Sequence, residues 1–312
     1  MRSYAAAAGL LLLTTGAIAE QWPSRPMEMI IPFSAGGGVD TTGRRIARAM
    51  SEQLGQNIVV SNRDGASGSI GFNALAQAAP DGYTLGGGPT TPIANAIHLV
   101  KGVRYTLESF DYVCQTFDNV FVVAVPANSP FKTAQELFAA AREKPGKLTF
   151  GHAGVSSNSH LSVESVGKSL NLQFQGVPFR GDSPMIPVLL GGELDFAAPS
   201  LIAVRGQNVR VLMVFANERV PLLPDVPTAT EVGAKHVPTL NGIYGPKGMP
   251  EEARAKLERA CEAALKDEEV RKSIINGGQV PSFRNGADFK ANVATDFAVK
   301  GELIRSIGLE AK

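Results

Sequence analysis

The chain has 312 residues, 44% of them apolar, and carries 30 Lys+Arg against 29 Asp+Glu for a formal net charge of +1. A balance this close to neutral argues against broad binding to nucleic acid or to anionic membranes. The length suits two domains, and the apolar content is enough for each to bury a core.

The first nineteen residues read as an export leader. Arg2 supplies a positive start, Ala5 to Thr15 an apolar run, and Ala17-Ile18-Ala19 a small-x-small cleavage site. That run is short for a transmembrane helix, and no later segment is long and apolar enough to span a bilayer. Cleavage after Ala19 leaves 293 residues and removes Arg2, so 29 basic residues then face 29 acidic ones.

Met27 to Pro32 reads as a buried strand. It runs into FSAGGGVD, where Asp40 is expected to cap a helix reaching Leu54. Ile46, Ala49, Met50 and Leu54 recur at helical spacing, and Gly55 stops the helix. Asn57 to Ser61 is the next strand. Gly65 to Gly71 is a second glycine-rich loop leading into a helix through Ala78. Tyr83 to Gly86 is a third strand, with Gly87, Gly88, Thr90 and Thr91 beyond it. Strand, small-residue loop and helix thus repeat, the pattern of a parallel α/β sheet.

The pattern restarts at the β-branched run Val120 to Val125. A helix over Thr133 to Arg142 and a strand over Leu148 to Phe150 follow. GHAGVSSNSH then opens a helix from Asn158 to Leu170. Val177 to Phe179, Leu194 to Ala197 and Val209 to Phe215 read as strands, and Ser183 to Leu190 as a helix. The tail returns to helices over Pro250 to Asp267, Glu269 to Asn276 and Gly286 to Ile307.

In open α/β sheets, ligands sit beyond the carboxyl ends of the strands. Both halves place Gly, Ser and Thr there, which lets backbone N–H groups approach an anion at a helix N-terminus. Ser34 to Gly38 fits that role. A plain tight turn fits the residue types equally well. Asp40 would repel an anion, so its place is on the helix.

Signals for other chemistry are weak. No G-x-S-x-G elbow, P-loop or G-x-G-x-x-G occurs. His98, His152, His160 and His236 lack the spacing of a metal pair, and there is no Cys-x-x-Cys, so neither metal nor cofactor is expected. Ser156, Ser157 and His160 are close enough to suggest a nucleophile and base, but hydroxyls at a helix start are usually caps. Asp195, after GGEL, suits either orienting a loop or simply ending a strand. Cys114 and Cys261 are 147 positions apart, which establishes no bond. Cys261 shares an apolar stripe with Ala253, Leu257 and Ala264 and reads as buried packing.

The ordered series WPSRPMEMIIPFSAGGGVD, NRDGASGSIGFNALAQAAPDGYTL, FGHAGVSSNSHLSVE, VPFRGDSPMIPVLLGGELD and PDVPTATEVG resembles the Bug family of periplasmic solute-binding proteins, receptors of tripartite tricarboxylate transporters. The resemblance covers nearly all of the chain after the leader. It implies an α/β, two-domain periplasmic binding protein fold (type II-like) with the ligand cleft between the domains. It implies domain 1 over 20–118 and 239–312 and domain 2 over 119–238. The implied protein is no enzyme: it is a periplasmic monomer that binds a small organic carboxylate and delivers it to membrane subunits of the transporter. An exported enzyme acting on such an acid through Ser157 and His160, and a ligand sensor for a signalling partner, are the alternatives.

Carried over by position, Phe33, Ser34, Ala35, Gly36, Gly37, Ala66, Ser67, Gly68, Thr90 and Thr91 line the cleft from the first domain. Ser156, Ser157, Asn158, Arg180, Gly181 and Ser183 line it from the second. The sequence departs from the family pattern at Leu240 and Asn241, where a tryptophan is common. It departs again at Asp182, where a small residue is usual, and in the glycine run at Gly86 to Gly88. These departures bear on which acid is bound.

Overall fold

A computed structural model describes residues 22–33, 35–36, 38–155, 157–179 and 181–309. The first nineteen residues, expected to form an export leader, and Ser34, Gly37, Ser156 and Arg180 lie outside the described residues.

The first region opens with β1 (Met27–Ile31), α1 (Gly38–Leu54), β2 (Ile58–Asn62), α2 (Ser69–Ala76), β3 (Thr84–Pro89) and a short α3 (Ile97–Leu99). β4 (Phe110–Asn119) follows, and the chain then enters a second sheet. Its elements are β5 (Val122–Pro126), α4 (Ala134–Glu143), β6 (Thr149–His152), α5 (Asn158–Leu170), β7 (Gln175–Pro178), α6 (Asp182–Leu190), β8 (Phe196–Ala197), α7 (Leu201–Val204) and β9 (Val209–Val214). The chain returns through β10 (Leu240–Pro246), α8 (Glu251–Lys266), α9 (Glu268–Asn276), β11 (Gln279–Asn285) and α10 (Gly286–Ser306).

The first sheet has the order β11-β4-β10-β3-β1-β2 and the second β7-β6-β8-β5-β9. β1 pairs in parallel with β2 and β3, while β10 runs antiparallel to β3 and β4. In the second sheet β6 is parallel to β7 and β8, and β5 is antiparallel to β8 and β9. Both sheets are therefore mixed, not wholly parallel. The repeating strand–helix units supply the parallel strands; β5 and β10, the first strands after each crossing, and β11 run against them, while β4 and β9 run with them.

Each sheet is covered on both faces. In the first, Met29, Ile31 and Ile243 pack with α1 and α8, and Ile30, Phe72, Tyr244 and Phe289 fill the opposite side. In the second, Val123, Phe150 and Phe196 pack under α4 and α5, while Val122, Ala124 and Ala197 meet α6 and α7. Burial on both faces explains why VVAVP is an unbroken apolar run and MEMII is broken only at the partly buried Glu28.

Two expectations change, and the pairing of the cysteines, left open by their spacing, is settled. β3 extends through Gly86, Gly87 and Gly88, so the last two belong to the strand and not to the loop beyond it. A Cβ on Gly86 would stand 2.5 Å from Leu75 Cδ2, and one on Gly87 2.7 Å from Met29 Sδ, so close packing requires these glycines. Asp40 lies inside the first turn of α1, not at its cap, because the helix already starts at Gly38. Cys114 and Cys261 form a disulfide that ties β4 to α8, with Cα atoms 6.7 Å apart. Cys261 is indeed buried in the Ala253–Leu257–Ala264 stripe, and that same stripe faces β4.

Candidate functional site between the two sheets

The loops after β1, β2 and β3 converge at one end of the first sheet. Gly68 marks the meeting point: a Cβ there would lie 2.7 Å from Pro92 Cγ and 3.2 Å from Pro32 Cβ. Ala66 and Ser67 are exposed and adopt φ of 47° and 55°, a left-handed bend that presents them outward. Ala35 and Gly36 are exposed, and Gly36 takes φ 82°. Phe33 is partly buried, and its carbonyl accepts from Asn62 Nδ2 at 2.9 Å.

Asp40 organises this bend. It is 3% exposed. Its carboxylate accepts from the Gly36 N–H at 2.9 Å, Asn62 Nδ2 at 2.8 Å and Arg44 Nε at 3.0 Å. Burial raises its pKa, but these donors and the Arg44 charge outweigh burial and hold it below the ordinary carboxylate value. The Gly36 N–H is therefore committed within the protein.

Thr90 is fully buried. Its N–H donates to the Leu240 carbonyl at 2.8 Å and its hydroxyl to Asp296 Oδ2 at 3.0 Å. Lys300 Nζ donates to the same oxygen at 2.8 Å. Burial pushes Asp296 up and Lys300 down, and each charge partly offsets the other's shift. This network fixes the start of the post-β3 loop and leaves Thr91, partly buried, at its surface.

On the second domain, Ser157 caps α5, accepting the His160 N–H at 3.2 Å, and its hydroxyl pairs with Ser159 Oγ at 2.9 Å. Beneath this turn the His152 and His160 rings stack with centroids 4.2 Å apart. His152 Nδ1 donates to the Gly154 carbonyl at 2.8 Å, and His160 Nε2 lies 3.7 Å from Glu164 Oε1. Desolvation, with His152 adding to it, pushes His160 down to about 4. Desolvation lowers His152 as well. Gly181, with φ 101°, precedes α6, and Ser183 is exposed on its first turn. Asp195 ties the start of β6 by accepting from Thr149 N–H and Oγ1 at 2.7 and 3.0 Å.

The two domains touch through Asn158. Asn95 Nδ2 donates to Asn158 Oδ1 at 2.9 Å, and Asn158 Nδ2 donates to Thr91 Oγ1 at 3.3 Å. Leu161 and Val237 extend the contact by packing against Leu303 and Ile304. Asn95 escaped the sequence reading. Its one signal is a buried amide in the apolar stretch PIANA. A 650 Å³ hollow lined by Trp22, Leu54, Lys256 and Arg259 lies instead by the C-terminal end of α1, away from these loops. Among the described residues, no group of three or more His, Cys, Asp or Glu could hold a metal ion, and no helix is long and apolar enough to cross a membrane.

The family model described as tripartite tricarboxylate transporter family receptor matches residues 42–309. The protein BugT of Bordetella pertussis (strain Tohama I) is 28% identical over 316 residues, covering 97% of either chain. A TctC solute binding protein from Polaromonas superposes with a TM-score of 0.81 at 29% identity, covering 91% of this chain and 99% of that one. MatC from Rhodopseudomonas palustris, solved with bound malate, gives 0.75 at 29% identity, with coverage of 91% and 100%. A second R. palustris protein, solved with adipate, gives 0.80 at 26% identity, with coverage of 93% and 99%. The α/β architecture of two sheets is that of the periplasmic binding proteins, and the chain belongs to the tripartite tricarboxylate transporter receptor family.

Proposed function

We propose that this protein is exported, binds a small organic carboxylate between its two domains, and delivers it to the membrane subunits of a tripartite tricarboxylate-type transporter. The observation that carries the reading is the Asn158 contact, where ligand-type loops of both domains meet at the carboxyl ends of their strands. Family membership and the malate and adipate named for two structural relatives support a carboxylate as the ligand. On this reading the domains are 20–118 with 239–312, and 119–238. The ligand is gripped by the loops at 33–37, 66–68 and 90–91 from one side, and by 156–158, Arg180, Gly181 and Ser183 from the other. The working form is a monomer in the periplasm, with the leader cleaved after Ala19.

An enzyme using Ser157 and His160 has less support. The Ser157 hydroxyl serves as a helix cap, accepting the His160 backbone N–H. Native mass spectrometry of gently purified protein, followed by calorimetry with the retained acid, tests the proposal. An unprocessed Met1 on cytoplasmic protein, or turnover of the acid, overturns it. Calorimetry on Gly37→Val and Arg180→Gln then separates a backbone cradle from a charged clamp. The cradle requires Gly37→Val to lose at least about tenfold in affinity, and Arg180→Gln to lose less.

A further inference from the structure

Asp182 opens α6, the helix that starts just beyond the carboxyl end of β7. Its Oδ2 accepts both the N–H and the hydroxyl of Ser200, at 3.1 and 2.5 Å. Ser200 follows β8 and bridges to Phe121 at the crossing into the second sheet. The pair therefore lies over the ends of β7 and β8, on the same rim as the loop carrying Ser157 and Asn158. The other oxygen, Oδ1, is sealed from water and has no hydrogen-bond partner. Burial raises the pKa of this carboxyl, and the two Ser200 bonds offset part of that rise.

The N-terminus of a helix attracts an anion. Here the protein supplies its own. Asp40 does the same at α1, but Arg44 neutralises it at 3.0 Å. Asp182 has no such counter-charge: among the described residues, no cation lies within ion-pairing distance of it. Arg180, two positions earlier, lies outside the described residues. The first turn of α5, by contrast, holds no acid. Among the described residues, the second-domain rim thus carries one carboxylate without a counter-charge, and its Oδ1 is closed off from water, a setting where a charge acts over several ångströms.

We propose that Asp182 is a specificity-determining residue that disfavours a second ligand carboxylate on the second-domain side, so that the protein selects monocarboxylates with a neutral or cationic far end over dicarboxylates. The inference rests on the carboxylate-binding reading and names the class of acid. It sets this chain apart from relatives solved with malate and adipate. Like charges brought together in a site that excludes water are a recognised route to rejecting the wrong ligand.

The test is calorimetry on the full mature chain with three matched pairs: succinate and 4-aminobutyrate, adipate and 6-aminohexanoate, terephthalate and 4-(aminomethyl)benzoate. The expected result is that, in the pairs that bind, the amino acid binds about tenfold or more tightly than its diacid. Asp182→Asn keeps an oxygen for Ser200 and removes the charge, so it is expected to narrow that ratio about tenfold. Ser200→Ala retains the charge and the preference. If the diacids bind as tightly as their partners to the wild-type protein, the proposal is overturned while carboxylate binding stands, and this comparison holds even if a variant fails to fold. An Asp182→Asn protein that folds and keeps the full preference also overturns it. If no acid of any pair binds and native mass spectrometry retains a dicarboxylate, the proposal is overturned while carboxylate binding stands; if it retains no acid at all, the inference and the carboxylate reading fall together.

Discussion

Asn95 donates to Asn158 across the domain boundary at 2.9 Å, and Asn158 passes the contact on to Thr91 at 3.3 Å. Both asparagines are buried, so removing one amide leaves its partner without a bond it cannot replace from water. Asn158→Ala is expected to weaken ligand affinity roughly five- to tenfold, which corresponds to about 1–1.4 kcal/mol. Small-angle scattering of the variant should show a more extended particle than the wild type. Unchanged affinity and unchanged dimensions would mean that the contact does not report on domain closure.

The stacked histidines set a pH dependence. His160 titrates near 4 in the folded chain against an ordinary value of 6.5, because it is desolvated and sits on His152. The unfolded chain therefore binds more protons between those values, and this contribution to stability falls as pH drops from 6.5 towards 4. Asp118 acts in the opposite sense: burial raises it to about 6, so its contribution grows as pH falls. Comparison with a variant isolates the imidazole. His160→Phe should lose less stability than wild type between pH 7 and 4.5, by about 1–2 kcal/mol in urea titrations. Parallel pH profiles for the two proteins would show that the ring is not the sensor.

Asp40 joins the Gly36 N–H, Asn62 and Arg44 through one buried carboxylate. Asp40→Ala leaves the bend at 35–36 without its tie and Arg44 without its carboxylate, although Arg44 still reaches Asn62 Oδ1 at 2.8 Å. Loss of such a network is expected to cost about 2–3 kcal/mol of stability. It should also cut ligand affinity several-fold, because the loop before α1 is no longer pre-organised. Thermal denaturation and calorimetry read the two effects separately. A stable variant with wild-type affinity would remove Asp40 from any account of the loop.

The Cys114–Cys261 bond closes a loop of 147 positions. Constraint of the unfolded chain by a crosslink of that span is worth about 2–4 kcal/mol. Replacing both cysteines by alanine should lower the denaturation midpoint by roughly 5–10 °C, and adding a reductant should change the variant no further. A midpoint equal to that of the oxidised wild type would contradict this.

How far the fold was legible depended on how local its cause was. The helix over about 158–170 is legible, because a hydroxyl cap followed by helical periodicity is written within one turn. β4, β10 and β11 were not read as strands. LNGIYGP has the composition of a loop, yet it is buried along its whole length. Gly242 is required there because a Cβ would sit 2.2 Å from Phe289 Cε1 and 2.5 Å from the Cys114 carbonyl. Those neighbours are distant in sequence, so no local pattern announces them. The site divides in the same way. The loops at 66–68 and 157–158 were visible as small residues at strand ends. The internal commitments of the Thr90 hydroxyl to Asp296 and of the Gly36 N–H to Asp40 were not, nor was the reach of Asn95 to the other domain.

The strand order of the first sheet has a consequence for synthesis. β4 is finished by residue 119, but its two neighbours, β10 and β11, begin at Leu240 and Gln279. A nascent chain halted at residue 239 would hold a complete second sheet and, before it, a ten-residue strand with both edges bare. Unpaired strand edges of that kind are templates for pairing with other chains. Until the last quarter of the polypeptide emerges, β4 needs shielding, and an exported chain obtains it if it is kept unfolded until translocation is complete.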